Sequence, residues 1–212
     1  MSEQKLFILN EAVRRSVNSF ISCIDEAPIH LSKNLFYPHM INSYHGIAHT
    51  ARVTLISHIL FDLCGYPENE RTASYIAAIV HDLGKRNDRE GSVHGYNSMV
   101  LFKDRVSAIL DDQSMAKRVL DAIRYHSVDD VNCPLEVRTD SIWIILKDAD
   151  AMDRGRFLGR GCDRSYLRLN IYNAQDGQNL LNFAKCLPAW TKSLKWDNPY
   201  EELINRINYY CV

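Results

Sequence analysis

The sequence has no run of about 18 apolar residues, the length a membrane-crossing helix needs. Its early apolar stretch, Leu6 to Leu9, is too short for the core of a secretion signal. There is no surplus of charge: 25 Lys and Arg stand against 26 Asp and Glu, a formal net charge of −1. Nucleic acid as a partner through an overall basic surface is thereby disfavoured. Glycine and proline are sparse, 9 and 6 residues of 212, which excludes collagen-like and low-complexity chains. The six cysteines (Cys23, Cys64, Cys133, Cys162, Cys186 and Cys211) contain no CxxC pair. With no secretion signal they read as reduced thiols of a cytoplasmic protein, each a small buried hydrophobe. Strand signals are weak. Ile142 to Leu146 could pass for a buried strand, but Thr139 or Asp140 offers a helix cap, and the apolar pattern runs on into Ala149 and Met152.

What is present is helical. Apolar residues recur at three- and four-residue spacing over 4–26, 47–64, 69–83, 97–111, 114–127, 139–153, 163–187 and 199–210, with Pro28, Pro67 and Pro188 between segments. Gly84 stands where a left-handed helix cap would sit. At about 150 residues per domain, 212 residues make one domain with at most a small appendage. A chain of this length buries roughly 70% of its unfolded surface and needs no disulfide or metal to fold. The expected fold class is all-α: a single compact helical bundle over 1–212, with a core at about 45–160 and a helical C-terminal extension at about 161–212. The aromatic residues of that extension (Trp190, Trp196, Tyr200, Tyr209 and Tyr210) suit either packing on the core or the face of a homodimer.

Histidine and aspartate carry the chemistry. His49 opens one helix, His81 and Asp82 end the next, and Asp148 lies on a later one. Imidazole and carboxylate together suit a divalent ion, and two of each leave positions open for water and a phosphate oxygen. A water bound there loses its proton near neutral pH and becomes a nucleophile. Lys85 and Arg154 are placed to neutralise charge on a phosphoryl group. Arg52, three residues after His49 on the same helix face, can pair with a carboxylate or a phosphate. Tyr44, Tyr96 and Tyr125 lie near the candidate ligands and could stack on a base, whereas His30, His39 and His58 read as structural.

The ordered set His49, His81-Asp82 and Asp148, with the flanking text His49-Thr50-Ala51-Arg52-Val53, His81-Asp82-Leu83-Gly84-Lys85 and Asp148-Ala149-Asp150-Ala151-Met152-Asp153, resembles the HD-domain superfamily of metal-dependent phosphohydrolases. The resemblance covers about residues 45–160. It implies an all-α fold with the ligands in a central cleft, and it assigns His49, His81, Asp82 and Asp148 to the metal. It implies further that His94 and His126 bind a second metal or the substrate phosphate. Asp153 matches a carboxylate that follows the last ligand in one subgroup, where it can orient the attacking water. His45 is set aside as a structural or supporting residue, because Gly46 separates it from the helix. The cyclic-dinucleotide branch is disfavoured: Gly65-Tyr66-Pro67 precedes the His-Asp pair, and His126 is single.

The expected activity is hydrolysis of a nucleotide or other small phosphate ester, with Mn, Mg, Fe, Co, Ni or Zn as the divalent ion. The alternatives are a catalytically silent nucleotide-binding or docking module, and oxygenase chemistry on two irons held by His94 and His126 as well.

Overall fold

The structure, a computed structural model, describes residues 7–157, 162–192, 194 and 197–212. Among them the chain is helical, with nine α-helices, and its strand-like pairing is a single bridge between Phe7 and Cys211. None of these helices is long and apolar enough to cross a membrane.

Helix α1 (Glu11–Asp25) begins where Asn10 accepts the Val13 N–H, later than the periodicity predicts; residues 4–6 lie outside the described residues. Helix α2 (Ile47–Cys64) is the central element. It is buried on all sides from His49 to Phe61, as an axial helix must be, and packs against α1 and against four helices that follow it in the chain. It ends at Gly65, whose φ of 64° is the left-handed cap conformation that glycine reaches without steric cost. Helix α3 (Arg71–Val80) ends before His81.

Gly84 is not a left-handed cap. Its role is close approach: a Cβ there would lie 2.2 Å from the Ser98 backbone nitrogen, and the Gly84 N–H donates to Ser98 Oγ at 2.8 Å. The turn after α3 thereby lies directly on α4 (Val93–Ile109), which starts earlier than predicted. Helices α5 (Gln113–Tyr125), the short α6 (Leu135–Arg138) and α7 (Ser141–Met152) follow, the last capped by Asp140. Ile142 to Leu146 is thus helix.

The stretch 163–187 departs from the expected continuous helix. Its first part forms two 3-10 turns, Arg164–Tyr166 and Asn170–Asn173, and only then α8 (Gln175–Trp190) and α9 (Pro199–Tyr210). The reason is competition for backbone donors: Asp163 captures the Ser165 N–H, and Asp148 captures the N–H groups of Arg168 and Leu169. Pro188 lies inside the last turn of α8 and does not end it. Trp190 stacks on Tyr210, and Tyr200 packs edge-on to Phe20, so these aromatics join α8 and α9 to the core. Trp196 lies outside the described residues. The described cysteines carry free thiols.

Candidate metal centre

Five helices converge on one buried point. α2 brings His49, the turn after α3 brings His81 and Asp82, α4 brings His94, the end of α5 brings His126, and α7 brings Asp150. Each histidine is held by its inner nitrogen. Nδ1 of His81 donates to Ala78 O at 2.7 Å, Nδ1 of His126 to Ile123 O at 2.7 Å, and Nδ1 of His94 to Gly91 O at 2.6 Å. Nδ1 of His49 donates to Asp153 Oδ2 at 2.7 Å. All four Nε2 atoms point inward; in the neutral form an imidazole has one N–H, so with Nδ1 committed outward each Nε2 carries a lone pair.

They face one another and the carboxylates. Nε2 of His49 lies 3.2 Å from that of His81, and Nε2 of His94 lies 3.1 Å from that of His126. Asp82 spans the two pairs: Oδ2 is 3.4 Å from His49 and 3.5 Å from His81, while Oδ1 is 3.2 Å from His94 and 3.3 Å from His126. Asp150 Oδ1 closes the first group, 3.4 Å from His49 Nε2. Lone pairs opposed at such distances repel, and Asp82 Oδ1 is buried with no hydrogen-bond donor. A cation relieves both problems. The donor atoms of His49, His81 and Asp150 lie within 4.8 Å of one another, as do those of His81, Asp82 and His126, so these groups could hold a metal ion. Burial pushes the His81 imidazole down to about 3, against the pull of Asp82, so it is neutral, as a ligand must be.

The carboxylate behind His49 is Asp153. Burial raises its pKa, but Arg52 and His49 overcome this and hold it at about 2. Arg52 grips Asp153 through Nε at 2.6 Å and Nη2 at 2.9 Å. Both Asp153 oxygens are committed and the side chain is sealed from solvent, so it orients His49 and does not reach an attacking water.

Asp148 is not brought to the histidines. Two residues along a helix is about 200° around its axis, so Asp148 and Asp150 point to opposite sides of α7. Asp148 is fully buried, and accepts from the backbone of Arg168 and Leu169, from Arg168 Nη1 at 3.0 Å and from the Tyr172 hydroxyl at 2.9 Å. Asp150 takes the place expected for it. No local pattern separates the two carboxylates, since which of them faces His49 depends on how α7 is rotated against α2.

Asp82, His94, His126 and Asp150 floor a cleft of about 900 Å³, with His49 and His81 buried behind them. Arg154 stands at its rim with its guanidinium over Tyr166, and Arg156 reaches Asp153 at 3.4 Å and Asp150 at 3.7 Å. Gly159, Arg160 and Gly161 lie outside the described residues. Lys147 and Arg168, which no sequence motif marks, also line the cleft and pair with Asp130. Lys85 is buried beside it, its ammonium on Glu90 O at 3.1 Å and near His94 Nδ1 at 3.2 Å. It ties down the loop whose Gly91 carbonyl orients His94. His45, paired with Asp88 at 2.7 Å, lines the cleft as well. Tyr44, Tyr96 and Tyr125 do not line it. His58 is remote, buried among Ser16, Ser19 and Tyr75, and His39 holds Arg86 O.

Comparison with curated proteins and with solved structures gives no match. The HD domain family model matches residues 46–155, more than half of the chain. That span holds all four inward-facing histidines, Asp82 and Asp150, and on this match the chain belongs to the HD-domain family.

Proposed function

We propose that this protein is a divalent-metal-dependent phosphohydrolase acting on a nucleotide or other small phosphate ester. The observation that carries the reading is the meeting of four inward-facing Nε2 atoms with the carboxylates of Asp82 and Asp150 at and just beneath the floor of an open cleft. His49, His81, Asp82 and Asp150 would hold one ion, and His94 and His126, with the second oxygen of Asp82, another. When bound, such ions supply a Lewis acid and a water acidified toward neutral pH.

The protein's own residues do the rest. Asp153 and Arg52 fix the ring of His49, while Lys85 fixes the loop that orients His94. Asp150 is the more open of the two cluster carboxylates, 24% exposed against 3% for Asp82, and faces the cleft, where, against desolvation, Arg156 and the histidines keep it ionised. Arg154, the one cleft-lining Arg or Lys without an ion pair among the described residues, stands at the rim to meet the incoming substrate. The buried Asp148 serves the fold and takes no part in the chemistry.

The test is release of phosphate or nucleotide from a substrate panel run against several divalent ions. Activity should vanish with EDTA and in His81→Ala, Asp82→Ala and Asp150→Ala, and persist in a conservative change at Tyr96. Turnover in those variants with EDTA present would refute the reading. Tight nucleotide binding without turnover under every ion would assign the protein a binding role instead.

A further inference from the structure

The cleft extends past the part of the chain that matches the family. Its outer wall includes Ser165, Tyr166, Leu167 and Arg168, all beyond residue 155. This wall is anchored on both sides. Asp163 caps the turn through the Ser165 N–H at 2.9 Å, and Arg164 Nη2 donates to Tyr172 O at 2.8 Å. Asp148 pins Arg168 and Leu169. Tyr166 stands between these anchors, so its backbone is held in place while 54% of the residue is exposed.

The guanidinium carbon of Arg154 lies 5.2 Å from the centre of that ring. The other arginines and lysines lining the cleft are engaged: Lys147 and Arg168 with Asp130, and Arg156 with Asp150 and Asp153. Arg154 has no ion pair among the described residues. An exposed aromatic ring on an anchored turn, beside a planar cation with no ion pair among the described residues, offers flat π surfaces at the mouth of a cleft whose floor suits phosphate. Flat aromatic ligands gain more on such surfaces than sugars of similar size, because their whole face stacks.

We propose that Tyr166 and Arg154 form a stacking subsite for the nucleobase of a nucleoside phosphate, so that the substrate is chosen by its base as well as by its phosphate. The proposal rests on the phosphohydrolase reading only for what lies on the floor. Every base has a π face, so the subsite accepts all of them, purines ahead of pyrimidines for their larger area.

Two measurements test it and separate its failure from that of the activity. The first is a ligand-observed NMR titration of EDTA-treated protein with adenosine and with ribose, which needs neither metal nor turnover. Wild type should bind adenosine and not ribose, Tyr166→Ala and Arg154→Ala should weaken adenosine binding roughly tenfold or more, and Tyr166→Phe should retain it. The second is KM with manganese for adenosine 5′-monophosphate and for ribose 5-phosphate. Tyr166→Ala should raise the first by a similar factor and leave the second unchanged. Equal adenosine binding by wild type and Tyr166→Ala, or equal KM shifts for both esters, would overturn the subsite. If neither ester is hydrolysed, the activity falls and the adenosine titration still decides the subsite.

Discussion

Asp148 and Asp150 lie two residues apart on the same helix, and they end in opposite kinds of surroundings. Around Asp148 every partner is a donor: two backbone N–H groups, a guanidinium and a phenol. Asp82 is instead ringed by the inward-facing nitrogens of His49, His81, His94 and His126, and Asp150 meets His49 on its inner side with Arg156 at 3.7 Å on its outer side. A carboxylate among donors stabilises a fold; a carboxylate among acceptors costs stability until a cation arrives. The difference separates a clasp from a site more sharply than burial does, since Asp148 and Asp82 are both buried.

The largest expected effect is on the clasp. Asp148→Ala leaves the Arg168 and Leu169 N–H groups and the Tyr172 hydroxyl without their acceptor and takes one of two carboxylates from Arg168, and at about 1–3 kcal/mol per stranded donor it should lower unfolding free energy by about 3–5 kcal/mol. Asp150→Asn, which keeps the side-chain shape and leaves Arg156 its pairing with Asp153, should cost far less when both are measured by urea denaturation in EDTA. Equal losses would erase the distinction drawn between the two carboxylates.

Next comes the response to metal. A divalent ion at 100 times its dissociation constant should stabilise the wild type by about 2.7 kcal/mol. This gain, read as a shift in melting temperature, should vanish in His81→Ala and Asp150→Ala. An undiminished shift in those variants would place the ion elsewhere.

A smaller effect is expected where the two halves of the cluster meet. Gly84→Ala should cost about 1–3 kcal/mol by driving a methyl into the backbone of α4. It should also weaken metal binding, because His94 rides on α4 while His81 and Asp82 stay with Gly84. Calorimetric titration of the ion would show this, and wild-type affinity would mean that the contact does not set the cluster.

The smallest concerns His58, a buried histidine whose ring nitrogens both have partners. Burial pushes its pKa below the usual 6.5, against the pull of Asp62. Its contribution to stability is therefore complete above about pH 6.5 and declines as the pH falls below that value. The loss from this group is at most about 1.4 kcal/mol per pH unit. Denaturation at about pH 7.5 and 5.5 should show a shallower decline in His58→Asn than in wild type; identical slopes would exclude the group.

Much of this was legible in the sequence. The periodicity of 47–64 meets the observed α2 residue for residue, and His49 and His81-Asp82 are close enough to helix ends to be read from motif and order alone. Other features were not. The choice of Asp150 over Asp148 depends on the phase of α7 against α2. The non-helical wall at 163–173 depends on a carboxylate some twenty residues upstream taking the N–H groups a helix would need. Gly84 has the same local text as a left-handed cap, and only the packing of α4 shows that it is a contact.

The amino-acid order by itself determined the helices and the supply of imidazoles and acids, because three- and four-residue spacing and neighbouring residue types are local properties. Tertiary structure alone decided which acids meet which histidines and which become clasps. Those outcomes are set by how one helix is rotated against another, and rotation is a property of the packed core and not of any single segment.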